Sequence, residues 1–79
     1  MTRAEQHQNY ASQKCVELVD EAVCIRNETC LSQRDISDIL GMSSHANIVQ
    51  IENHKTVPRL DNFLRILSVL GYTLKIVRK

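Results

Sequence analysis

Residues 31–53, "LSQRDISDILGMSSHANIVQIEN", hold two short apolar sets on either side of one glycine: Ile36, Ile39 and Leu40 before Gly41, Ile48 and Ile51 after it. Both sets have helical spacing, yet each run is shorter than the roughly 12–15 residues an isolated helix needs in water. The two runs can therefore fold only against each other and against longer helices. Between Gly41 and the second run only Met42, Ser43 and Ser44 are available, which restricts the connection to a tight turn. That constraint removes most architectures before composition is considered.

The remainder of the chain supplies the longer helices. Cys15, Val16, Leu18, Val19, Ala22, Val23 and Ile25 form a helical stripe that ends near Asn27. Residues 1–14 are polar without a clear period and are expected to form a frayed or weakly helical arm. Ser32 and Asp35 have the spacing of a capping box, in which each side chain accepts from the other residue's amide. Gly41 suits the positive φ of a helix end, and Ser44 is the expected cap of the next helix. After a loop over 53–59 that contains Pro58, Leu60, Phe63, Leu64, Ile66, Leu67 and Leu70 predict an amphipathic helix stopped by Gly71. The closing "YTLKIVRK" alternates, with Tyr72, Leu74 and Ile76 on one side, and predicts a strand. No second run alternates in this way, so the simplest partner is the same strand of a second copy, antiparallel about a two-fold axis. Lys75, Arg78 and Lys79 then read as charges that guard a strand edge.

Seventy-nine residues form one domain, too small to enclose a deep catalytic cavity easily. Net charge is +1, but it is unevenly placed. Residues 1–31 are acidic on balance, whereas 32–79 hold seven Lys/Arg against Asp35, Asp38, Glu52 and Asp61. Cys15, Cys24 and Cys30 include no CxxC pair and fit free thiols in a reducing cytoplasm. Their spacing gives no metal site, no cofactor is indicated, and no run approaches membrane-spanning length. An enzyme is disfavoured because no nucleophile–base constellation is visible.

The second short helix opens with Ser44, His45 and Asn47 and carries Gln50 one turn on, a poor composition for a core helix. It suits a helix that presents its first turns to base edges in a major groove, where Asn and Gln can each bond adenine bidentately. His45, Asn47 and Gln50 are the expected base contacts. Gln33, Arg34, Ser43, Ser44, Lys55 and Thr56 lie at or just beyond the helix ends, where phosphate contacts are usually made. His54 is a weaker candidate for phosphate.

Residues 17–71 resemble the lambda-repressor-like (Xre/Cro-type) helix-turn-helix family through "LSQRDISDILGM", "IVQIEN" and "VPRLDNFLRILSVLG". The resemblance implies a mainly all-α, four- to five-helix domain over 15–71 that reads double-stranded DNA as a homodimer. Residues 1–14 then form an arm and 72–79 a dimerisation strand. It also implies that Gln33 grips a phosphate and that Arg26 pairs with Glu52. Three departures stand out. Gly41 to Ile48 is one residue longer than usual, Cys30 stands where glycine is common, and Arg59 stands where a serine cap is common. Counting from Ile48 and Ile51 puts His45, Ala46 and Asn47 in the base-reading positions; counting from Gly41 puts Ser44, His45 and Ala46 there. The small size and the terminal strand also resemble HipB-type antitoxins. An operon-regulating antitoxin that neutralises a partner toxin is therefore the alternative to a stand-alone repressor.

Overall fold

The computed structural model describes all residues, Met1–Lys79, as four helices: α1 (Arg3–Glu28), α2 (Gln33–Ile39), α3 (Ala46–Glu52) and α4 (Leu60–Leu70). None is long and apolar enough to cross a membrane.

Helix α1 begins well before its apolar stripe. Thr2 caps it by accepting from the Glu5 amide at 3.1 Å, and Glu5 lies favourably in the first turn. Of the two forms expected for the arm over 1–14, frayed or weakly helical, the helical one is found from Arg3 onward, as a continuation of the same rod. Apolar periodicity reports packing rather than helicity, and residues 1–14 are all exposed. Their helix rests on the cap, on good helix formers such as Ala4, Gln6 and Ala11, and on the absence of Gly and Pro. At about 1.5 Å per residue this rod accounts for most of the molecule's 42 Å length.

All four helices end in the same way. A positive-φ residue donates its amide to the carbonyl three back, and the next amide reaches five back. The positive-φ residues are Cys30 (60°), Gly41 (72°), His54 (59°) and Gly71 (86°). The five-back bonds run from Leu31 to Arg26 (3.3 Å), Met42 to Ser37 (2.8 Å), Lys55 to Gln50 (2.9 Å) and Tyr72 to Leu67 (2.8 Å). Glycine serves two of these turns at no steric cost, whereas Cys30 and His54 adopt the left-handed region with a side chain. The glycine more usual at position 30 in the resembled family thus has a conformational reason.

Ile36, Ile48, Ile51, Phe63, Ile66, Leu67 and Leu70 form the core with Val19 and Ala22 of α1. Ile36 is completely buried, and Ser37 beside it is buried with its hydroxyl donating to the Arg34 carbonyl at 2.9 Å. Ile39, expected on the same face, is 60% exposed. The inward face of α2 is centred between Ile36, Ser37 and Leu40, which turns Ile39 outward by about 100°. At the far end of α2, the Arg65 guanidinium of α4 donates to the Leu40 carbonyl at 2.9 Å.

Residues 72–79 carry no regular secondary structure, so the expected strand is not formed within the chain. Leu74 alone among them is half-buried, packed against the edge of the core. Lys79 places its ammonium 3.9 Å from the centre of the Tyr10 ring, so the segment runs back along α1.

Candidate nucleic-acid interface

The direction in which α3 faces follows from two side chains. Ile48 and Ile51 are buried in the core, which fixes the rotation of a helix only seven residues long. Asn47 and Gln50, three apart, therefore share an exposed strip on the outer side. The helix starts at Ala46, so the extra residue within "SSHAN" lies in the turn.

Ser44 does not cap this helix as expected. The N-cap position falls to His45, which makes no side-chain cap bond, and the Ser44 hydroxyl accepts from the Ala46 amide at 3.1 Å. The longer turn displaces the serine one residue upstream of the N-cap, so its hydroxyl reaches the first amide of the helix, at Ala46, rather than the second or third that an N-cap side chain takes.

Of the expected phosphate contacts, Arg34, Ser43 and Ser44 line one polar hollow between α2 and the turn before α3, and half-buried His45 lines it with them. Ser37, Asp38 and Met42 complete the hollow. Lys55 and Thr56 are not brought there. They follow the other end of α3, both exposed, and Thr56 borders a groove against α1. His54 lies against α1, its Nε2 2.8 Å from Asp20 Oδ1.

Gln33 belongs to a third group of contacts. Arg26 of α1 grips Glu52 of α3 with two donors, Nε to Oε2 at 2.6 Å and Nη2 to Oε1 at 2.8 Å. Its Nη1 donates to the Leu31 carbonyl at 2.8 Å. The Gln33 amide donates to Glu52 Oε1 at 2.9 Å. Glu52 thus accepts from both outer helices of the α1–α2–α3 set, and the Arg26 and Glu52 side chains are only 14% and 13% exposed. This network fixes how the two short helices sit relative to α1.

At the start of α2 the capping box is complete. Asp35 donates its amide to Ser32 Oγ at 3.0 Å, and the Ser32 amide donates to Asp35 Oδ2 at 2.9 Å. The bond from the Ser32 amide, followed by that from its side chain, holds the Asp35 carboxyl below its ordinary pKa.

Reasoning from the sequence missed three of these contacts: Arg65 on Leu40, Gln33 on Glu52, and His54 on Asp20. A cation is favoured at the carbonyl end of any helix, which could have pointed to Arg65. The partners of Gln33 and His54 lie 19 and 34 residues away, and no local signal marks them.

Residues 25–77 match the helix-turn-helix family model, a span of more than half of the chain that takes in Arg26, α2, α3 and α4. The chain belongs to the lambda-repressor-like helix-turn-helix family. An uncharacterized HTH-type transcriptional regulator of Haemophilus influenzae is 34% identical over 62 residues. The aligned region covers 78% of this chain and 62% of that relative's length. No solved structure matches. Within this helix-turn-helix chain, α2 and α3 are the two helices of the motif and Gly41 lies in its turn. Arg59 precedes α4 without a side-chain cap bond, as its departure from the usual serine implies.

Proposed function

We propose that the protein is a sequence-specific double-stranded DNA-binding transcriptional regulator, a repressor that acts in the cytoplasm as a homodimer on a palindromic operator. One observation carries this reading: Asn47 and Gln50 are exposed on one strip of a helix whose rotation is fixed by Ile48 and Ile51, buried in the core about 100° around the axis. Amide side chains held in that way suit bidentate bonding to adenine in the major groove. His45 adds a third base contact at the N-terminal end of α3. Arg34, Ser43 and Ser44 take phosphates from the adjoining hollow, with Lys55 and Thr56 at the far end of α3. Gln33 adds a further phosphate contact while its amide is braced by Glu52. The name of the Haemophilus relative supports the regulatory role.

Dimerisation is assigned to the C-terminal segment. Tyr72, Leu74 and Ile76 of two copies pair as an antiparallel ribbon whose apolar side rests on the helices. The second reading, an antitoxin that also binds a toxin protein, is favoured by the large apolar side chains left exposed on this face, among them Val57 and Ile76.

Selection of bound DNA from a random pool, with Gln50→Ala beside the native chain, tests the first reading. A motif with two dyad-related half-sites, altered at one symmetric pair of positions by Gln50→Ala, is expected. Equal affinity for all sequences would falsify specific reading. Co-purification of a growth-inhibiting protein would add the antitoxin role.

A further inference from the structure

Two contacts hold the segment that follows α4. Leu74 is half-buried against the core, in a hollow that it lines with Leu18 and Glu21 of α1 and Phe63 of α4. Five residues on, the Lys79 ammonium stands 3.9 Å from the centre of the Tyr10 ring. Leu18 and Glu21 lie eight and eleven residues from Tyr10, about 12–16 Å along α1. Five residues of extended chain reach about 16–18 Å, so the segment runs along α1 from one attachment to the other. Its middle does not lie flat on the helix. Side chains of an extended chain alternate, so Leu74 and Ile76 would share a side, yet Ile76 is 98% exposed. No backbone hydrogen bond is made beyond Tyr72.

This posture and a paired strand exclude each other. A strand that turns Tyr72, Leu74 and Ile76 toward the helices turns Thr73, Lys75, Val77 and Lys79 away from them. Lys79 then faces away from α1 and cannot stand over Tyr10. We infer that the Lys79–Tyr10 contact is an autoinhibitory clasp, which keeps the segment of a single chain from pairing and raises the concentration at which two copies join. The inference rests on the homodimer reading above and adds its regulation. An exposed cation over a tyrosine ring shifts an equilibrium by about two- to fivefold. Each of two joining copies must release its own clasp, so the factors multiply to about five- to thirtyfold in the dimer dissociation constant. A brake of that size sets a threshold for assembly without preventing it. The clasp also gives a role to the first half of α1, whose residues 3–14 bury no side chain.

Sedimentation equilibrium of the full chain over a wide concentration range tests the clasp. Tyr10 and Lys79 are both exposed, so substitution at either leaves the core untouched. Tyr10→Ala and Lys79→Ala are each expected to lower the dimer dissociation constant by about five- to thirtyfold. The double variant is expected to go no further than either single one, because both remove the same contact. Tyr10→Phe, which keeps the ring face, is expected to match the native chain. An unchanged or raised constant in Tyr10→Ala overturns the clasp, as do fully additive effects of the two alanines or a Tyr10→Phe chain that behaves like Tyr10→Ala. Each of those results leaves the homodimer standing. A protein that stays monomeric in every variant at all concentrations overturns the homodimer reading and the regulation with it.

Discussion

The Arg26 guanidinium and the Glu52 carboxylate meet through two parallel hydrogen bonds, 2.6 and 2.8 Å long, across 26 residues of sequence. Removing either partner leaves a mostly buried charge without compensation, a far larger loss than that of an exposed pair. Glu52→Ala is expected to lower the unfolding free energy by about 3 kcal/mol, measured by urea denaturation. An apolar pair, Arg26→Met with Glu52→Leu, is expected to recover most of it. Equal destabilisation by the single and double changes would show that the pair is not the source.

Arg59 precedes α4 in extended backbone (φ −64°, ψ 149°) and makes no cap bond. Its bond to Asp61 at 3.3 Å joins two well-exposed side chains and adds little. Arg59→Ser places a hydroxyl where it can accept from the first turn. A gain of about 1 kcal/mol is expected, read as a higher denaturation midpoint at unchanged m.

Cys30 and Gly71 close helices in the same left-handed geometry with opposite residue types. Cys30→Gly is expected to stabilise by a few tenths of a kcal/mol, because relief of the φ penalty is partly offset by the entropy of glycine. Gly71→Ala meets no neighbouring atom, so its expected loss of about 1 kcal/mol comes from φ alone. Thermal unfolding of the two variants should move in opposite directions.

Asp35 has its folded pKa held below the ordinary carboxylate value by Ser32. A depressed acid contributes stability that is fully present above its unfolded pKa and is lost as pH falls through the folded one. Ser32→Ala removes one of the two stabilising bonds. The expected result is a shallower loss of stability across the acid range than in the native chain, measured by denaturant unfolding at successive pH values. Superimposable acid limbs would exclude this linkage.

Arg34 and Lys55 stand at opposite ends of the α3 region, and in the proposed complex each meets a phosphate. Arg34→Ala and Lys55→Ala are each expected to weaken operator binding at low salt without changing the preferred sequence. Each should also reduce the slope of log affinity against log salt by about two, since one phosphate contact is lost from each subunit of the dimer. A changed preferred base would reassign the residue from phosphate to base contact.

What the sequence made legible was whatever depends on neighbouring residues. The capping box at Ser32, the turn at Gly41 and the stripe from Leu60 to Leu70 each follow from spacing within a few positions. Arg26 and Glu52 were paired only through family resemblance, since nothing local links them. Ile39 was misplaced because a seven-residue helix with one buried serine can rotate its inward face away from the apolar average. The helix over residues 3–14 could be read only as a frayed or weakly helical arm because an unpacked rod leaves no apolar period. The terminal strand is a different case: alternation describes which side chains share a face, while strand structure requires a partner backbone that one chain does not contain.

Ile48 and Ile51 close the core and also aim Asn47 and Gln50. In the proposed complex, recognition and cohesion therefore share the same two anchors, and the base-reading strip would have no stability of its own. As the core loosens on warming, discrimination between DNA sites should fade in step with the melting of the whole domain.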